Sequence, residues 1–415
     1  MMLWRMAWRN LWRHRTRTLI MTSAVAFSYG LCLFSMGMGD DGHQQMLDEA
    51  AEGAGGDILI HADGYWESKS SDLVIEDADR VLTMVESVPG VGAAIPRMII
   101  NGLVSSAAGS RMLFLQGIDP ERESALRDLS KDVDFGNYLD ATDRDDPIIL
   151  GAVIVEKLEM ELGDRVVLTA TQPDGEVTRA LFHLSGIMET GLADVDEVMG
   201  ITTLAAAQKA VGAPGVLTQI GVMADPSLPS DSVAGLIRAS IRSEGSGFEV
   251  LTWQEAIPEM VGFIEVDDAF LYIYLVVIFA IVAFAIANTF LMAVMERVRE
   301  FGLLNALGMR GRGVARLLLT ETLLMTALAM SIGFVLGLAG HLAASHWGIP
   351  VAMWGVDSME VSGVDFSSLV MRSKITPVKW VAASILVVLV TLGSALYPAW
   401  RASRLAPSEA MRFFG

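Results

Sequence analysis

Four stretches of this chain lack Asp, Glu, Lys and Arg for twenty residues or more: Thr18–Gly39, Ala269–Met295, Thr322–Ala344 and Val381–Trp400. A bilayer core of about 30 Å takes about 20 helical residues, so these stretches predict four transmembrane helices, over 18–39, 269–295, 317–344 and 380–400. Between the first two spans lie residues 40–268, which carry a different pattern. There, short apolar runs alternate with helical spacing and turn signals. Asp57–His61 reads as a strand, Asp77–Ser87 as a helix, and Ala94–Val104 as a strand after the Pro89-Gly90 turn. Leu217–Met223, Ser230–Ser243 and Phe248–Leu251 repeat that order. The two β-α-β units predict one lobe from 55–107 and 215–262. A second lobe, over 110–212, has strand Met112–Gly117, helix Ala152–Leu162, a turn at Gly163-Asp164 and strand Arg165–Ala170. A hairpin turn at Pro173-Asp174-Gly175 then leads to strand Thr178–Ile187. The predicted fold class is an α-helical membrane protein with a large two-lobed α/β domain outside the membrane.

Charge orients the spans. The segments 1–17, 296–316 and 401–415 hold 13 arginines against the three acids Glu296, Glu300 and Glu409. By the positive-inside rule all three are cytoplasmic. Residues 40–268 hold 42 acids and 14 bases, a net −28 that exceeds the chain's own −19. This domain is therefore expected outside the cytoplasmic membrane, with 345–379 as a second external loop and both termini inside. The acidity belongs to it and indicates no nucleic-acid partner.

The first span reads as an uncleaved signal-anchor, because its apolar run exceeds a signal peptide's and leads straight into acidic sequence. Before it, Trp4, Trp8 and Trp12 recur every four residues, with Arg5, Arg9 and Arg13 one position on. On a helix this places an aromatic stripe beside a basic one, as in a helix lying among lipid headgroups. The single cysteine, Cys32, falls inside the first span, which leaves the external domain to its apolar core.

Candidate chemistry is sparse. A phosphate-binding loop needs G-x-x-x-x-G-K-[S/T], and none of the six lysines (Lys69, Lys131, Lys157, Lys209, Lys374, Lys379) follows a glycine. His341 and His346 are five apart and diverge on a helix, and the acids Asp143, Asp145, Asp146, Asp194, Asp196 and Glu197 lack calcium-loop spacing. No G-x-S-x-G elbow occurs. The expectation is no catalytic residue, no metal and no cofactor bound by this chain. Within the spans, Asn288 is expected to bond another helix, and Gly333, Gly337 and Gly340 to allow close helix contact. Glu321 is expected near enough to the interface for its charge to reach water.

The segment Glu296–Gly308, E-R-V-R-E-F-G-L-L-N-A-L-G, is charged and amphipathic and directly follows the second span. It resembles the cytoplasmic coupling segment of FtsX-like ABC permeases. Tyr397–Arg412, Y-P-A-W-R-A-S-R-L-A-P-S-E-A-M-R, resembles that family's closing signature. The run I-L-G-A-V-I-V-E-K-L-E-M-E-L-G-D-R-V-V-L is similar to the periplasmic core domain of MacB-type and lipoprotein-releasing (LolC/LolE) permeases. Only eight residues, Thr171–Thr178, join the hairpin strands, too few for the hook of the carrier-recruiting branch, so the likeness is closer to a LolE-like or MacB-like half.

This resemblance implies a permease subunit, not an enzyme, in a bacterial inner membrane. It implies a dimer with an identical or sister permease and a separate LolD- or MacB-type ATPase that holds ATP and magnesium. The implied ATPase-coupling residues are Glu296, Arg297, Arg299, Glu300, Phe301, Gly302, Leu304, Ala306 and Gly308, with Glu300, Phe301 and Gly302 docking in the ATPase. The expected process is lipoprotein release towards the outer membrane, with a periplasmic carrier or adaptor. MacB-like drug or peptide export and FtsX-like signalling to cell-wall hydrolases are the alternatives. A lipid-embedded cargo path is expected along Phe34, Met36, Met38, Phe270, Tyr272 and Tyr274.

Overall fold

A computed structural model describes residues 2–13, 15–139, 146–190, 193–242, 247–298, 300–301, 303, 309–350, 353, 360–361, 364–365 and 370–404. The chain divides into two compact units, one of Met1–Gln44, Ile264–Met353 and Leu369–Gly415, the other of Gln45–Phe263 and Trp354–Ser368.

The first unit is helical. A short helix, Met2–Arg13, precedes four long ones: Arg15–Ala54, Pro258–Glu296, Gly311–Trp347 and Pro377–Ser403. Each contains an apolar window long enough to cross a membrane. The first and second extend well past Gly39 and Ala269, since hydropathy marks where lipid ends and polar residues at helical spacing can carry the helix further. Leu275, Phe279, Ile286 and Phe290 form one stripe of the second long helix and pack with Val25, Tyr29 and Leu33 of the first, Leu324 of the third and Val387 of the fourth. Phe270, Ile281 and Phe284 of the same helix are exposed, as suits a surface in contact with lipid.

The glycine face of the third helix meets the first. A Cβ on Gly333 would lie 2.5 Å from the Ala26 carbonyl oxygen, and one on Gly337 3.0 Å from Leu33 Cβ. The missing side chains let the two backbones touch, which is how helices gain van der Waals contact in lipid. Asn288 departs from expectation. It is exposed and, among the described residues, bonds no other helix of the chain.

The second unit is built on one mixed sheet. Its strands are β1 (Ile58–Ala62), β2 (Val91–Ser105), β3 (Ser110–Ile118), β4 (Val133–Gly136), β5 (Pro147–Gly151), β6 (Arg165–Thr171), β7 (Val177–Met188), β8 (Met199–Thr203), β9 (Gln219–Ala224) and β10 (Phe248–Thr252). The order is β10-β1-β9-β2-β3-β8-β5-β7-β4, with β6 pairing β2 and β7. Two large apolar clusters form, one under helices Ala78–Glu86 and Ser230–Arg242, the other beneath Ala152–Lys157 and Leu204–Ala210, and a smaller one gathers Ile118, Ile149 and Ile201. β2 runs through both of the larger clusters, with Ala94 in the first and Met98, Ile100 and Val104 in the second. Its first half pairs β9 and its second half pairs β3 and β6.

The helix expected over Ala152–Leu162 stops at Lys157. Glu159 takes a left-handed conformation at φ 49°, which an α-helix cannot continue through. The β6–β7 hairpin closes at the Thr171–Val177 pair, and Gly175 supplies the φ of 89° its turn requires.

Where β2 enters the first half of the sheet, Arg97 and Glu123 form an enclosed pair. Arg97 Nε donates to Glu123 Oε2 at 3.1 Å, and a second guanidinium nitrogen bonds the other oxygen. Glu123 is wholly buried and Arg97 is 5% exposed.

His61 on β1 is also wholly buried, with Nδ1 at 2.9 Å from the Thr218 carbonyl and Nε2 without a partner. Burial pushes its pKa down to about 4, against the Thr218 bond, with the charge of Lys69 adding to the depression. In the unfolded chain the imidazole titrates near 6.5, so between about pH 6.5 and 4 the unfolded state binds a proton that the folded state refuses. Stability is expected to fall as pH drops through that window, by about 3 kcal/mol in the limit. His61→Gln should flatten this slope in urea midpoints measured from pH 7 to 4. A slope identical to wild type would assign the acid sensitivity to other groups.

Candidate functional site: the segment after the second span

The second long helix ends at Glu296 because the chain turns at Arg297, whose N–H donates to the Val294 carbonyl at 3.2 Å. The turn carries Arg297 inward. Its Nη1 lies 3.2 Å from Glu321 Oε2 on the third long helix, and its Nε lies 3.1 Å from Glu300 Oε2. Two further groups come from the first helix of the chain. The Asn10 amide donates to Glu321 Oε1 at 2.5 Å, and Arg13 lies 3.0 Å from Glu300. Arg297 and Glu321 are 6% and 3% exposed, so both charges are taken out of water and compensate each other.

Phe301 stands four residues on from Arg297, one helical turn away. It is fully buried among Val294, Val314, Leu318, Ala399 and Ala402, and the Arg297 guanidinium sits 5.2 Å from its ring centre. The third and fourth long helices meet beside it. A Cβ on Gly311 would lie 2.1 Å from the Ser403 carbonyl oxygen. Close packing at this point joins Phe301 to the third and fourth long helices.

Two expectations are corrected here. Phe301 does not face outward to dock. Its ring is enclosed by the chain's own second, third and fourth long helices. Glu321 does not reach water, because Arg297 and Asn10 supply the partners that water would have given. The exposed groups are instead Leu303, 63% accessible, with Arg310, Arg312 and Arg316. Glu300 is half-buried. Arg299, Gly302, Leu304, Ala306 and Gly308 lie outside the described residues, as does the tail from 405 onward. Asn10, Arg13 and Glu321 carry no sequence signal for this role, because the partners of Asn10 and Arg13 lie some three hundred residues away.

Residues expected along a cargo path divide. Phe270, Tyr272 and Tyr274 are exposed. Phe34 packs near Gly340, and Met36 and Met38 are each 4% exposed, so the two methionines serve helix packing and cannot line a lipid-facing surface. Close by, Lys379 bonds Asp40 and lies 3.6 Å from Asp268, while His43 lies 2.9 Å from Asp267. This tethers the first, second and fourth long helices to one another.

The chain matches known families along most of its length. The FtsX-like permease C-terminal profile covers residues 272–407, and the MacB-like periplasmic core domain profile covers residues 18–240. The lipoprotein-releasing system transmembrane protein LolC of Neisseria meningitidis serogroup B is 24% identical over 376 residues, 86% of this chain and 85% of that one. The LolE protein of Haemophilus influenzae is 19% identical over 398 residues, 94% of this chain and 93% of that one. Among solved structures, the periplasmic region of MacB from Actinobacillus actinomycetemcomitans covers 49% of this chain and 92% of its own, with a TM-score of 0.37 and 12% identity. With four membrane helices, an α/β insert and the two profiles in register with them, the chain belongs to the FtsX-like ABC transporter permeases that carry a MacB-like periplasmic core domain.

Proposed function

We propose that this permease converts ATP hydrolysis in a separate ATPase into movement of its periplasmic domain, and that the cargo is lipoprotein leaving the cytoplasmic membrane for the outer membrane. The observation that carries the mechanical part is the enclosed Arg297–Glu321 pair, which fastens the surface segment to the third long helix. A push on that segment cannot be absorbed locally. The ATPase, with its ATP and magnesium, sits on the side of both chain termini, where the arginine excess lies. It contacts Leu303 and the arginines at 310, 312 and 316, and Phe301 supports this face from behind. The working unit is a dimer with an identical or sister permease.

The lipoprotein part is supported by the LolC and LolE relatives, which match along nearly the whole chain. A periplasmic carrier or adaptor would receive the cargo. Depleting the chain should leave newly made outer-membrane lipoproteins in the cytoplasmic membrane, seen by membrane fractionation after a pulse label. Unchanged lipoprotein partition with altered drug efflux or cell-wall hydrolysis would reject this cargo. Leu303→Asp should abolish co-purification of the ATPase while the permease still inserts, and retained ATPase would place docking elsewhere.

A further inference from the structure

We propose that the elbow between the first helix of the chain and the first membrane helix is a binding site for one anionic phospholipid. A cavity of about 410 Å³ opens there, within the range that holds small ligands. Trp8 and Trp12 stand on one side of it, Leu19 on the next turn, and Leu328 and Ile332 of the third long helix on the other. Leu19 is 70% exposed, so the cavity is open at the flank of a membrane span. There the solvent is acyl chain, not water.

The polar groups are placed as a lipid requires. Arg15 lines the cavity and is exposed, and among the described residues only its Nε is engaged, donating to the Trp12 carbonyl at 3.3 Å. Its terminal nitrogens are available to a phosphate, which guanidinium binds in bidentate fashion. Arg9 is exposed on the same short helix and adds positive field, whereas Arg13 is paired with Glu300; the residues lining the cavity include no carboxylate. Deeper in, Thr22 is 6% exposed and its hydroxyl has no hydrogen-bond partner. Thr22 lines the same cavity, seven residues and about 10 Å further along the helix than Arg15. The indoles of Trp8 and Trp12, 6.2 Å apart and edge-on, are suited to the headgroup boundary. The cavity thus combines a cation with an apolar wall, as the phosphate and acyl chains of a phospholipid require.

The test uses the full chain in vesicles containing photoactivatable phosphatidylglycerol or photoactivatable phosphatidylcholine, with labelled peptides mapped by mass spectrometry. Labelling is expected on both walls, within residues 8–22 and 328–332, about fivefold stronger for phosphatidylglycerol, as one arginine at an anionic surface provides. Arg15→Gln should remove the preference between the two lipids while labelling by phosphatidylcholine persists, so a folded protein reports the result. Leu328→Trp should fill the cavity and abolish labelling of both walls. Equal labelling by the two lipids in wild type, labelling spread evenly over all four spans, or a preference unchanged in Arg15→Gln would overturn the site.

Discussion

Arg297→Met in the full chain is expected to lower its stability by about 3–5 kcal/mol, because it strands the Glu321 carboxylate in a buried position. Arg297→Met combined with Glu321→Leu should recover most of that loss, since two apolar side chains of similar volume need no compensation. The contrast between single and double variants separates the buried-charge effect from lost packing. The expected magnitude rests on the 6% and 3% exposure of the two residues and on their separation of 3.2 Å. An exposed pair at the same distance would be worth about 1 kcal/mol or less. Denaturation midpoints of detergent-solubilised protein provide the readout. If the single variant is no less stable than the double, the pair is solvated in the membrane-embedded protein, and the proposed lever loses its anchor.

A second loss of comparable size is expected in the periplasmic domain. Glu123→Gln keeps the volume but removes the charge that offsets Arg97, and should destabilise the domain by about 3–5 kcal/mol. Glu123 has no accessible surface, and the pair lies where β2 passes from its β9 contacts to its β3 contacts. Unfolding should therefore begin near the junction of the two halves of the sheet. Hydrogen exchange of the β2 and β9 amides would show this as loss of protection there, with the membrane helices unchanged. A variant whose β2 amides exchange as slowly as wild type would show that the sheet, not the ion pair, holds the two halves together. Arg122 offers an internal comparison. It binds Glu86 at 2.6 Å, but both side chains are about 40% exposed, so its replacement should matter little.

Much of this architecture was legible in the sequence because it depends on local pattern. The four spans follow from uncharged runs that only a bilayer tolerates. Most strands and helices of the insert follow from apolar periodicity and from turns such as Pro173-Asp174-Gly175. The strands β4, β5 and β8 were not anticipated. Pro147–Gly151 is buried along its whole length, so it lacks the alternation that distinguishes a strand from the start of the helix that follows it. The segment Glu296–Gly308 was recognisable by residue order, and its charge suggested a surface.

What only the tertiary structure decided is which way Phe301 of that segment faces. Amphipathicity states that a segment has two sides and is silent on what covers the apolar one. Phe301 was free, as far as local sequence goes, to meet an ATPase or the chain's own helices. Contacts with Val314, Leu318 and Ala399 settled it, and those residues lie up to about a hundred positions away. The same holds for Glu321, an acid beside an arginine-rich stretch that local reading leaves in water. Its partners are Arg297, from the turn after the second long helix, and Asn10, from the first helix of the chain. Pairing of buried charges is fixed by which helices pack together, and packing is a property of the assembled bundle, not of any window along the chain.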